Sequence, residues 1–204
     1  MSINITLIFP IYSSLTSLIS TSTQVNDLDP SLLSNLEIII INDCSPHLKV
    51  DSIMLLLKSL PNEVTYNYFH LSVNSGPGFV RNFGINKAIS NKYISFIDDD
   101  DVPNISNIIK FSNNSFTDIV ISPLSSENNS FKYLINSCSR FRLFYYCIRG
   151  YLKTVSWNKL YGLTYIRLIH ANFSHFRLFE DELFFLALIF SKPLPSFIFA
   201  DKPF

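Results

Sequence analysis

Cysteine, glycine and tryptophan are sparse in this chain: three, five and one among 204 residues. Cys44, Cys138 and Cys147 are odd in number and form no C-x-x-C pair, which excludes a disulfide scaffold and a zinc knuckle. A reducing, cytoplasmic setting is the simplest inference. Charge is limited and balanced, with 16 Lys plus Arg against 16 Asp plus Glu. That balance leaves no general basic surface for phosphates, so no nucleic acid partner is expected. The N-terminus lacks a basic n-region, and the apolar run at residues 5–9 is too short for a signal-peptide core. The longest continuous apolar run, residues 183–190, falls well below the roughly 18 residues of a membrane span.

What the chain has in quantity is material for a core, with 48% hydrophobic residues, ample for one domain of ordinary size. Short apolar runs at 5–9, 37–41, 66–71 and 93–97 read as strands, and near-continuous runs of this kind suit a sheet covered on both faces. Between them, a helix from about Ser14, a helix over 51–60 ended by Pro61, and a helix over 79–90 are expected. In the last, Phe79, Phe83 and Ile89 are expected to face the sheet while Arg81 and Lys87 face elsewhere. Residues 26–35 read as a loop and 74–78 as a turn. Alternating strands and helices imply right-handed crossovers and a mostly parallel, three-layer α/β/α fold.

The second half is less regular. Residues 116–122 are expected as a strand and 125–130 as a polar loop. The stretch 131–151 mixes aromatics with Arg140, Arg142 and Arg149, which fits a helix packing its aromatic side inward or an amphipathic helix on a membrane face. Glu180, Asp181 and Glu182 precede an apolar helical run, where the helix dipole favours carboxylates whatever their role.

The most unusual stretch is Y-I-S-F-I-D-D-D-D-V-P from Tyr93, a buried strand ending at four consecutive aspartates, Asp98 to Asp101. Adjacent like charges repel, so this is either a solvated acidic turn or a site where a divalent cation neutralises part of the charge. Open α/β sheets bind ligands beyond the carboxyl ends of their strands. Pro10 to Tyr12, Asn42-Asp43 and the four aspartates all lie at such ends, and their convergence favours a ligand site.

These residues resemble the family 2 glycosyltransferases, nucleotide-sugar-dependent enzymes of the GT-A fold. The likeness runs in order through I-T-L-I-F-P-I-Y from Ile5, E-I-I-I-I-N-D-C-S from Glu37, and N-S-G-P-G-F-V-R-N-F-G-I from Asn74. It continues through the aspartate strand, W-N-K-L-Y from Trp157, and E-D-E from Glu180. The resemblance implies a single GT-A domain over 1–204, with a nucleotide-sugar-binding half (1–122) and an acceptor-side half (123–204). Asp98 and Asp100 match the outer positions of the D-x-D signature, implying contact with ribose and with Mn²⁺ or Mg²⁺ on the donor diphosphate. Asp99 between them is grouped with the donor pocket, along with Pro10, Tyr12, Asn74 and Gly76.

Further roles follow from the same resemblance. Asp43 matches the nucleobase contact, typically to uracil, against an Asx-turn as its structural alternative. Arg81 matches the basic residue of an A-R-N segment near the phosphates, against a solvated helix face. Asp181 matches the catalytic base, with Glu180 and Glu182 as rivals, and only one of three helical neighbours is expected to point at the acceptor. Trp157 could wall the acceptor pocket or belong to the core. The implied activity is metal-dependent, inverting sugar transfer from a nucleoside-diphosphate donor, UDP-linked by resemblance, to a glycan or lipid-linked acceptor in surface polysaccharide synthesis. A catalytically degenerate nucleotide-sugar-binding module is the alternative. The implied location is cytoplasmic, with peripheral contact at the inner membrane face left open and oligomeric state unspecified. Cys44 stands where the family usually has Gly and Ser13 where it has Asn, both in the nucleotide pocket.

Overall fold

The computed structural model describes residues 3–123, 140–149, 152–176 and 178–204. Its first half alternates as expected: β1 (Ile5–Ile11), α1 (Thr16–Asn26), α2 (Pro30–Leu33), β2 (Leu36–Asn42), α3 (Val50–Lys58), β3 (Thr65–His70), α4 (Pro77–Lys87) and β4 (Tyr93–Phe96). The second half adds α5 (Ile105–Asn114), β5 (Ile119–Ile121), α6 (Arg140–Ile148), β6 (Lys159–Gly162), α7 (Leu163–Leu168), α8 (Glu180–Phe190) and β7 (Phe197–Phe199). One seven-stranded sheet results, in the order β3-β2-β1-β4-β6-β5-β7. β1 to β4 are mutually parallel, while β6 runs antiparallel between β4 and β5.

The alternation of side chains along each strand divides the core into two layers. Ile8, Ile39, Ile41, Ile94 and Phe96 meet Val80 and Ile85 of α4 and Phe184, Phe185 and Leu188 of α8. Their neighbours Leu7, Phe9, Ile38, Ile40 and Tyr93 meet Leu18, Ile53, Leu57, Ile105 and Ile108 on the opposite face. Burial on both faces is why β2 reads as an unbroken apolar run rather than an alternating one. Glu37 is a buried polar residue near its start. It is satisfied by the Thr6 hydroxyl at 2.5 Å and the Ile89 amide at 3.0 Å, so the polar group is retained without an orphan.

Three expectations need correcting. The supposed loop 26–35 contains α2, whose N-cap Asp29 accepts from the Ser31 amide at 2.8 Å, with Pro30 in the first turn. That is the standard chemistry of a helix start, and it outweighs the turn reading of Asp-Pro. In α4 the inward face carries Val80, Arg81, Gly84 and Ile85, while Phe79 and Ile89 are 51% and 60% exposed. Arg81 is buried because acids from elsewhere in the fold meet it, a pairing invisible to helical periodicity. The strand expected over 116–122 shrinks to β5, with Phe116 exposed.

Within the stretch 131–151, α6 places Leu143 inward and Phe144 against Phe190 at 5.6 Å, leaving Phe141, Tyr145 and Ile148 exposed. The polar loop 125–130 lies outside the described residues. Among the described residues no helix is long and apolar enough to cross a membrane.

α4 lies close on the sheet because Gly84 lets it. A Cβ there would sit 2.5 Å from Ile8 Cγ2 and 3.2 Å from Ile41 Cδ1, both in the packed interior. Gly84→Ala is therefore expected to destabilise the protein by about 1–3 kcal/mol through overpacking, despite alanine's better helix propensity. A fall in the thermal unfolding midpoint checks this; a rise would show that α4 can lift off without cost.

Candidate active site

The parallel register brings the carboxyl ends of β1, β2 and β4 to one edge of the sheet, where a cleft of about 490 Å³ opens. Pro10, Tyr12, Asp43, Asn74, Gly76, Arg81, Asp98, Asp99 and Asp100 line it, together with Ile11, Ser13, Pro77 and Val80. Nine residues singled out in the sequence thus share one cavity. Gly76 caps α4 at φ 85°, ψ 161°, a backbone state that glycine adopts freely and other residues resist.

Two of the acids hold the rim together. Asp99 Oδ2 accepts from the amides of Tyr12, Ser13 and Ser14 at 3.1, 2.7 and 3.0 Å and from the Ser13 hydroxyl at 3.0 Å. Partial burial pushes its carboxyl up, but these bonds outweigh that and hold it below its ordinary value. Asp43 accepts from the Ser75 amide at 2.7 Å through Oδ1 and from the Gly76 amide at 2.8 Å through Oδ2. The Asx-turn weighed as the alternative at Asp43 is not what its carboxylate forms; beside it, Asn42 Oδ1 accepts from the Ser45 amide three residues on at 2.8 Å. Cys44 occupies the left-handed region, φ 56°, at the position where the resemblance calls for glycine.

Arg81 joins the two sides of the site. Only 3% exposed, it donates from Nη2 to Asp98 Oδ1 at 2.7 Å. From Nη1 it donates to Glu180 Oε1 at 3.1 Å and Asp181 Oδ1 at 2.9 Å. Burial opposes its charge, yet Asp98, Asp181 and Glu180 together hold the guanidinium above its ordinary value. At Asp98, burial is the largest influence and raises the carboxyl; Arg81 lowers it, and Asp181 and Asp100 raise it again. Two neighbours on one helix, Glu180 and Asp181, thus reach the same nitrogen. They lie in the first turn of α8, whose N-cap Phe179 takes a left-handed conformation, φ 63°.

Asp181 Oδ2 faces another way, toward Ser156, whose amide and hydroxyl lie 3.1 and 3.3 Å away. Ser156 carried no signal in the sequence beyond standing next to Trp157. Trp157 itself lies outside the main cleft, in a smaller cavity with Asp101, Val102, Pro103, Asn158 and Phe204. Among the described residues Asp101 Oδ2 has no partner there, and burial, reinforced by Asp98 and Asp100, pushes the carboxyl up to about 6.

Among the described residues no three His, Cys, Asp or Glu side chains gather into an all-protein metal cage. Asp98 and Asp100 on the cleft floor instead offer the one or two hard carboxylates that suffice for Mg²⁺ or Mn²⁺ when substrate phosphates complete the shell. Burial is the largest influence raising Asp98 and Asp101, and neighbouring carboxylates add to it; a cation would offset that second contribution.

The family model for glycosyl transferase family 2 matches residues 6–184. The chain belongs to that family. No curated protein matches the sequence significantly. Among solved structures, S. aureus TarS 1–349 superposes with a TM-score of 0.69 at 18% identity, covering 100% of this chain and 59% of that one. A TarS 1–349 complex with UDP gives 0.65, also at 18% identity, covering 98% of this chain and 61% of that one. The mannosyltransferase PcManGT from Pyrobaculum calidifontis, in complex with GDP-Man and Mn²⁺, gives 0.68 at 10% identity, covering 100% and 56%. These likenesses establish the GT-A fold, and the chain spans little more than half the length of the proteins it resembles.

Two outcomes follow for this family 2 domain. Arg81→Met strands three carboxylates and is expected to cost about 3–5 kcal/mol, measured by urea unfolding; a loss below about 1 kcal/mol would mean that the acids do not depend on Arg81. Because Asp99 is held below the unfolded carboxylate value of 3.8, its stabilisation is complete above that value and disappears as pH falls through the lower folded one. The stability gap between wild type and Asp99→Asn should therefore be constant from neutral pH to about pH 5 and close in stronger acid. A gap that persists unchanged to pH 2 would contradict the assignment.

Proposed function

We propose that this domain transfers a sugar from a nucleoside-diphosphate donor, with UDP preferred, to a hydroxyl of a glycan or lipid-linked acceptor with inversion at the anomeric carbon. The observation that carries the reading is Arg81, which links Asp98 on the cleft floor to Asp181 across the site, 2.7 and 2.9 Å from its two nitrogens. A donor-side acid and a candidate base are thereby fixed in one frame. The TarS complex with UDP and the PcManGT complex with GDP-Man and Mn²⁺ support a nucleotide and a divalent ion in the same fold.

In this reading the rim residues Tyr12, Asp43 and Asn74 enclose the nucleoside, and Asp98 and Asp100 hold Mn²⁺ or Mg²⁺ against the diphosphate. When bound, the ion supplies Lewis-acid stabilisation of the leaving diphosphate. Arg81, held within the site, keeps Asp98 and Asp181 at a fixed separation and balances part of the acidic charge. Asp181 accepts the acceptor proton as the acceptor oxygen bonds to the anomeric carbon and the bond from that carbon to the diphosphate oxygen breaks. Among the described residues Oδ2 accepts from both the amide and the hydroxyl of Ser156 while Oδ1 accepts from Arg81 alone, so Oδ1 keeps a lone pair for that proton.

The test is nucleoside diphosphate release from a panel of nucleotide sugars, with an acceptor pool and with or without EDTA. EDTA should abolish release and Mn²⁺ restore it. Asp100→Ala is expected to lose about 100-fold or more in turnover. Asp181→Asn should bind UDP like wild type yet lose about 100- to 10,000-fold in transfer. Full activity in Asp100→Ala would remove the metal assignment, and full activity in Asp181→Asn would remove the base.

A further inference from the structure

Lys159 is the most unexpected charge in the fold. It sits on β6 and is completely buried, on the face of the sheet covered by α8. Its ammonium lies 4.9 Å from the ring centre of Phe185, one turn along α8 from Asp181. All three of its donors are used: to Lys153 O at 2.9 Å, to Val155 O at 2.7 Å and to Asn158 Oδ1 at 2.6 Å. Those acceptors belong to residues 153–158, which form neither helix nor strand. The same segment is pinned at its far end, where the Asn158 amide group donates to Ser122 O at 3.1 Å.

We propose that Lys159 is a positioning residue for the transfer reaction, its buried ammonium fixing residues 153–158 so that Ser156 holds Asp181 in one orientation. Three observations converge on this. Ser156 is itself buried and touches Asp181 with both its amide and its hydroxyl. Those two contacts fall on Oδ2, while Arg81 holds Oδ1, so the carboxylate is gripped from opposite sides and cannot rotate. An irregular segment has no ladder of its own to fix Ser156 at that spot, and Lys159 supplies the missing ties.

Energetics separates this role from simple core filling. Burying an ammonium is costly, and a Leu or Met of similar volume commonly gives equal or better stability. What an apolar residue cannot give is directional donation to three acceptors at once. Burial lowers the Lys159 ammonium to about 7, with Asp181 and Cys147 pulling the other way, which places the carboxylate's field at the lysine.

The proposal rests on Asp181 acting as the base, and the experiment distinguishes the two claims. Turnover, donor KM and UDP affinity by calorimetry are measured for Ser156→Ala, Ser156→Thr, Lys159→Met, the Ser156→Ala/Lys159→Met double variant and Asp181→Asn. Ser156→Ala should lower kcat about tenfold at unchanged UDP affinity, and Ser156→Thr should recover most of it. Lys159→Met should lower kcat by a similar or larger factor, and the double variant should lose no more than the worse single one, because both act along one route.

Losses that multiply, or a UDP affinity that falls as much as kcat, would make Lys159 a general structural residue and overturn the proposal. If Lys159→Met does not fold, the Ser156 pair decides alone: unchanged kcat in Ser156→Ala overturns it. An inactive Asp181→Asn beside a fully active Ser156→Ala sinks the clamp and leaves the base standing, whereas an active Asp181→Asn sinks both.

Discussion

A single buried guanidinium sets the terms for this site. Arg81 is placed on the inward face of α4, where the sheet packing demands apolar residues, and it is tolerated there only because Asp98, Glu180 and Asp181 meet its nitrogens. The dependence runs both ways. Without the cation, acids from β4 and α8 would face each other across a poorly hydrated gap and repel. The approach of α8 to the carboxyl edge of the parallel strands, and hence the shape of the whole site, follows from charge balance as much as from hydrophobic burial. Among the described residues the Arg81 Nε has no partner, a residual polar demand within the site.

Around that centre the fold uses backbone economy of the α/β kind. The first four strands are parallel, and β1, β2 and β4, buried on both faces, deliver polar residues to one edge, while glycine appears where contact distances require it. Gly84 allows α4 to lie against Ile8, and Gly78 brings the same helix against the Ser174 carbonyl, 2.6 Å from where a Cβ would be. Few glycines are present, and these two bear on how close the Arg81 helix comes to its surroundings.

Much of the first half was legible because its signals are local. Apolar runs of strand length, ended by Asn42-Asp43 or by the four aspartates, are seen in the linear pattern, and the parallel register then groups them at one edge. The orientation of α4 was not legible, since periodicity assigned Phe79 and Ile89 inward and Arg81 outward, and acids from other elements, Asp98 17 residues on and Glu180 and Asp181 about 100 residues on, reverse that. Ser156 and Lys159 were missed for a related reason. A serine in an irregular segment and a lysine in a strand look like surface residues until α8 folds over them. The short helix α2 was within reach, because Asp29-Pro30-Ser31 carries a capping pattern that was assigned to a turn.

The rim acids Asp43 and Asp99 have a consequence of their own. Each donates nothing and accepts from consecutive main-chain amides of a neighbouring loop, so each works as a rivet between segments far apart in sequence. A scan that scored only lost activity would flag both as substrate contacts, since removing either would let a wall of the cleft drift. For an acid of this kind, shaping the room a ligand enters and touching the ligand would look the same in such a scan. The walls of the cleft are tied by the chain's own hydrogen bonds, so part of what would be measured as affinity is stored in the folded chain itself.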